Sequence, residues 1–86
     1  MATVKERVIA VTAKVLKIDA GEIGMDSSFA EDLGAESVQS IELVAMFEEE
    51  FGIEMDEDEA LAVETVATAI AFIAAVCREQ GVEIEE

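Results

Sequence analysis

Ser37 is the residue whose type and setting raise a question of chemistry. It stands inside EDLGAESVQSIELVAMFEEEFG, Glu31 to Gly52, at the junction between a glycine-containing stretch and an amphipathic, carboxylate-rich one. A hydrolytic serine needs a base within hydrogen-bond reach and an oxyanion hole. The chain has no histidine, and Ser37 lies in A-E-S-V-Q rather than G-x-S-x-G, so self-contained serine catalysis is not expected and no catalytic residue is assigned. Zinc is poorly served by the single Cys77 and no histidine. The acidic segment DEDEALAVETVA, Asp56 to Ala67, lacks the glycine at the sixth position and the glutamate at the twelfth that a calcium loop of the EF-hand type requires, so no dedicated metal site is expected. Ser37 can still be the substrate of another enzyme. At a helix start, free N–H groups and the macrodipole would favour a phosphate on its hydroxyl. On position alone, the plainer reading is an ordinary N-cap.

The elements that would position Ser37 follow from composition and periodicity. Eighty-six residues, 52% of them apolar and none proline, suit one small helical core, and a single domain over 1–86 is expected. A lone cysteine excludes an internal disulfide framework. Charged or polar residues interrupt every apolar run before it could span a bilayer, and no signal-like segment opens the chain, so a cytoplasmic protein without a membrane span is expected.

Thr3 and Glu6 have the spacing of a capping box, and Val4, Val8, Val11, Val15 and Ile18 recur at helical spacing, which predicts a first helix from about Val4 to about Leu16. A long connection follows, punctuated by Gly21, Gly24 and Gly34 and pinned by Ile23, Phe29 and Leu33. From Ser37 to near Gly52 a second helix is predicted, with Val38, Ile41, Val44, Phe47 and Phe51 facing inward. Asp56 and Glu59 offer an acidic start to a short helix around Ala60 to Ala62, anchored by Ile53, Met55, Leu61 and Val63. Thr65 can cap a final helix with a stripe of Val66, Ile70, Ile73 and Cys77, stopped at Gly81. The tail VEIEE is expected to fray.

Charge bounds the partners. Twenty-one Asp and Glu against five Lys and Arg give a net charge of −16, which excludes nucleic acid as a partner. The positive charges are Lys5, Arg7, Lys14, Lys17 and Arg78, so everything between Lys17 and Arg78 is an anionic surface suited to basic partners.

The same stretch around Ser37 resembles the signature of acyl carrier proteins of fatty acid synthesis, whose pattern D-L-G-A-D-S-L is matched at Asp32, Leu33, Gly34, Ala35 and Ser37. The match continues through Glu42, Leu43, Val44 and the run Glu48, Glu49, Glu50, Phe51, and the likeness extends over nearly the whole chain. The resemblance implies an all-α, antiparallel four-helix bundle with three longer helices, one short helix and a long loop between the first two. It implies 4′-phosphopantetheine attached to Ser37 by a phosphopantetheinyl transferase, with acyl chains carried as thioesters on the arm. It implies a monomer, not an enzyme, that docks onto basic patches of fatty acid synthase or acyltransferase enzymes through Glu36, Val38, Glu42, Met46, Glu48, Glu49, Glu54 and Asp56. The inward faces of Val38, Phe47, Leu61 and Ala67 would part to admit the chain, although plain core packing is the simpler role of such residues.

Three neighbours of the serine depart from that pattern. Glu36 replaces the usual Asp, Val38 the usual Leu, and Gln39 is neutral where an acidic residue is frequent. They raise a specialised carrier as one reading. A carrier of aminoacyl or polyketide groups, and an acidic interaction protein with Ser37 unmodified, are the others.

Overall fold

The computed structural model describes residues 2–86, and among them helices carry the whole architecture, with no strand and one isolated bridge between Ser28 and Thr65. The helices are α1 (Val4–Leu16), α2 (Ser37–Phe51), α3 (Glu57–Leu61) and α4 (Val66–Glu79), with a single 3₁₀ turn at Ala20–Glu22 in the first connection. Three are long, at 13, 15 and 14 residues, and α3 has 5. None is long and apolar enough to cross a membrane.

The sequence sets the helix ends. Thr3 and Glu6 form the expected capping box of α1, with Glu6 N–H donating to Thr3 Oγ1 at 3.2 Å and Thr3 N–H to Glu6 Oε1 at 2.9 Å. Thr65 caps α4 through Thr68, and Asp56 caps α3 by accepting from Glu59 N–H at 3.1 Å. The short helix starts earlier than the expected turn at Ala60, because the Asp56 cap allows Glu57 to open it directly. Gly52 ends α2 in the left-handed region at φ 65°, where a residue without Cβ is favoured. Lys17 ends α1 in the same conformation at φ 57°, a stop that no glycine announces.

The bundle closes around Val4, Val8, Leu43, Phe47, Phe51, Val66, Ile73 and Cys77. Helix α1 runs antiparallel to α2: Arg7 near its start pairs with Glu50 near the end of α2, through Nε to Oε2 at 2.8 Å and Nη2 to the Glu50 carbonyl at 2.8 Å. The Arg7 guanidinium also lies 4.2 Å from the centroid of the Phe51 ring. Three of the four residues expected on the α4 stripe are buried, while Ile70 is half-buried and Ala69 takes the inner position beside it.

The inward face expected for α2 needs correction. Val38 is 77% exposed and Ile41 52% exposed, whereas Leu43, Phe47 and Phe51 are buried. Val38 and Phe47 are nine residues apart, two and a half turns, so they fall on opposite sides of a helix with 3.6 residues per turn. Phe47 and Phe51 take the core, with Leu43 one turn before, and Val38 is left in solvent.

The connection from α1 to α2 is pinned as expected. Ile23 and Phe29 are buried, Leu33 packs on the core, and the loop is tied to the start of α4 by Phe29 N–H to Glu64 O, Val66 N–H to Ser27 O and Ala67 N–H to Met25 O, each at 3.0 Å. The tail does not fray. Val82 and Ile84 pack against the core, Val4 N–H donates to Glu85 O at 2.8 Å, and Arg78 Nη1 pairs with Glu86 at 2.9 Å. The alternation of apolar and acidic residues in VEIEE turns its two apolar residues inward, and the freed first N–H groups of α1 supply a backbone partner.

Candidate functional site

The start of α2 is built by the loop before it. Gly34 takes φ 71°, which turns the chain so that Ala35 is buried and its N–H donates to Phe29 O at 2.7 Å. Asp32 supports the turn by accepting Ser28 N–H at 2.8 Å. Glu36 then stands extended at the N-cap, and Ser37 is the first residue of the helix, exposed. An ordinary N-cap is therefore not the position of Ser37; Glu36 occupies it, because its carbonyl accepts the first helical bond from Ser40 N–H at 2.9 Å. Gln39 turns its Oε1 back to accept Glu36 N–H at 2.9 Å.

A phosphate ester on Ser37 fits this arrangement. The hydroxyl points from an exposed first-turn residue, and the N–H groups of an opening helical turn have no carbonyl partner inside the helix, so they and the macrodipole favour an anion there. Ser40, one turn on, lines a cavity of about 60 Å³ between α2, α3 and α4 whose other walls include Phe29, Leu43, Phe47, Met55, Leu61 and Phe72. Its lining is otherwise apolar. At ordinary ligand-pocket sizes of roughly 300–1,000 Å³, this space is small, so an acyl chain longer than a few carbons enters only if the walls part. Phe47 and Leu61 are in the wall as expected; Val38 and Ala67 are not.

The residues expected at a docking surface are dispersed over several environments. Glu36, Val38, Glu42 and Glu49 are exposed, and Val38, Glu42 and Glu49 follow one stripe of α2 at spacings of four and seven. Ile41 adds an exposed apolar side chain beside them, a residue that sequence periodicity had placed inside. Met46 instead packs on the core and lines a groove beside Ala10, Val11 and Lys14 of α1. Glu48 accepts Met55 N–H at 2.8 Å and so holds the loop after α2. Glu54 is exposed, with its backbone clamped by Gln80, whose Oε1 accepts Glu54 N–H at 3.0 Å and whose Nε2 donates to Glu54 O at 2.6 Å. Asp56 is exposed and uses its carboxylate as the α3 cap.

Three roles were not expected from the sequence, those of Gln39 as a clamp and of Met55 and Phe72 as cavity walls. The E-x-x-Q spacing of Glu36 and Gln39 is the same signal as Thr3 and Glu6, and it identifies the clamp on the residue before Ser37. Met55 and Phe72 as cavity walls had no comparable signal, since they meet only through the packing of α2, α3 and α4. Among the described residues no group of three or more His, Cys, Asp or Glu side chains is arranged to hold a metal ion.

The sequence model of a family described as "Phosphopantetheine attachment site" matches residues 6–73. The chain is 42% identical over 73 residues to "Acyl carrier protein" of Sinorhizobium fredii (strain NBRC 101917 / NGR234), covering 85% of this chain and 94% of that one. It is likewise 42% identical over 73 residues to "Acyl carrier protein AcpP" of Rhizobium meliloti (strain 1021), with the same coverage.

Proposed function

Because the chain belongs to the acyl carrier proteins of the phosphopantetheine-attachment family, we propose that Ser37 is the residue that receives the arm and that the carrier serves fatty acid biosynthesis. The observation that carries this reading is the exposed Ser37 at the first position of α2, one turn from Ser40 at the apolar cavity. When bound, the arm supplies a terminal thiol on which acyl groups are held as thioesters. The chain itself does three things. The first turn of α2 holds the phosphate; Phe47, Leu61 and Phe72 can shelter apolar carbons from water; and Glu42 and Glu49 present charge to basic partner surfaces, which speeds encounter without tight binding. The phosphopantetheinyl transferase and the fatty acid or acyltransferase enzymes remain part of this proposal, as does a single carrier domain over the chain.

Incubation with a phosphopantetheinyl transferase and coenzyme A should add one phosphopantetheinyl mass to the wild type and none to Ser37→Ala, with helical content preserved. Loss of an N-cap hydroxyl costs about 1 kcal/mol, and Ser37 is not the cap, so the variant should lose less than that. Addition to Ser27, Ser28 or Ser40, or persisting in the Ala variant, would sink the assignment.

A further inference from the structure

Gln39 stands at the third position of α2 and reaches back across the first turn. The residue immediately before Ser37 is held at both ends of its peptide unit: the Glu36 N–H by Gln39 Oε1 at 2.9 Å, and the Glu36 carbonyl by Ser40 N–H at 2.9 Å. The second of these belongs to the helix ladder, which any sequence would form. The first depends on one side chain. Upstream, Ala35 is fixed by burial and by its bond to Phe29 O at 2.7 Å, so Glu36 is the single joint between an anchored loop and the helix. If the Gln39 tie to Glu36, extended at φ −86° and ψ 167°, is lost, the first turn can fray and carry the Ser37 hydroxyl away from its place relative to Glu42 and Glu49 farther along α2.

We infer that Gln39 is a positioning residue for the modification of Ser37. This rests on the attachment proposed above. In that reaction the Ser37 Oγ–P bond forms and a P–O bond of the coenzyme A pyrophosphate breaks. The 3′,5′-ADP leaves with the electron pair, and the hydroxyl proton passes to a base of the transferase. Gln39 touches none of these atoms. It acts by fixing where Oγ stands when the carrier is docked, so its loss affects the step after binding and not binding itself. The neutral amide performs the clamp with its oxygen alone, which a carboxylate can also do, and this separates the acceptor from the charge.

The test measures transferase kinetics with coenzyme A, by intact mass, on wild type, Gln39→Ala, Gln39→Glu and Thr65→Ala. The last removes a comparable cap from α4, where Thr65 Oγ1 accepts Thr68 N–H at 3.2 Å, and serves as the control for stability alone. Misplacement of a reacting atom by a fraction of an ångström is costly, so Gln39→Ala should lower kcat by about fivefold or more with KM within about twofold. Gln39→Glu restores kcat, and Thr65→Ala leaves it unchanged. The inference is overturned if Gln39→Ala keeps the wild-type kcat, if the loss appears in KM, if Glu fails to restore it, or if Thr65→Ala falls as far. In those cases addition to the wild type and none to Ser37→Ala still reports Ser37 attachment independently. Wild-type modification at a different serine removes both readings at once.

Discussion

At the scale of single residues, what the sequence announces depends on whether the signal is local. Ser37 and its setting were legible because four adjacent residues define them, while its assignment as a cap failed by one position: the residue whose carbonyl opens the ladder is Glu36. Cys77 shows the opposite case. Its place on the α4 stripe was readable, and the structure adds that it is 0% exposed, with burial raising its thiol pKa above the ordinary 9.0, more than the positive charges of Arg7 and Arg78 lower it. A thiol whose folded pKa is raised contributes its stability fully below the unfolded value, and that contribution is lost as pH climbs through the folded one. Cys77 should therefore weaken the fold only in alkaline solution. In the modified protein, a disulfide reagent at neutral pH should react rapidly with one thiol, on the arm, and with Cys77 only at the rate of unfolding. Two rapid thiols in the native protein, with none left to appear on denaturation, would show that Cys77 is not enclosed.

At the scale of elements, the helices themselves were written in caps and periods, and all four stand close to where the pattern put them. Their mutual contacts were not. Arg7 and Glu50 are 43 positions apart, and nothing in the spacing of either reveals that α1 and α2 bring them within 2.8 Å. The wheel of α2 misled for a related reason: it carries apolar residues around much of its circumference, so periodicity alone does not choose between Val38 and Leu43, and the neighbouring helices decide. The Arg7 contact should be the strongest single polar tie between helices. It combines a partly exposed ion pair, a bond to a carbonyl left free at the end of α2 and a ring contact, together about 2 kcal/mol. Arg78 and Glu86 are more exposed, with side chains 57% and 60% accessible, and their pair should contribute about 0.5 kcal/mol or less. Urea unfolding of Arg7→Ala and Arg78→Ala measures the difference. Equal midpoints would show that the Arg7 contacts are mostly solvent-compensated.

For the whole molecule, the charge of −16 is a property no single contact expresses. The exposed stripe of Val38, Glu42 and Glu49, with Ile41 beside it, is a small apolar strip inside a negative field, and a partner with a basic rim and an apolar centre would match both. Glu42→Lys or Glu49→Lys should raise KM with an enzyme that works on the carried acyl group, and the wild-type kcat/KM should fall with salt as the Debye length shrinks to about 10 Å at 0.1 M. Rates indifferent to both changes would assign docking to Val38 and Ile41 alone. The bond from Val4 N–H to Glu85 O has a bearing of another kind. It joins the opening turn of the first helix to residues that a ribosome adds 81 positions later, and α4, the other wall of α1, is also made late. Contacts so distant along the chain carry a loop-closure cost that local helix formation does not. Helix α1 is thus completed only after α4 and the residues that follow it have been made, and removal of residues 82–86 should loosen the opening turn of α1.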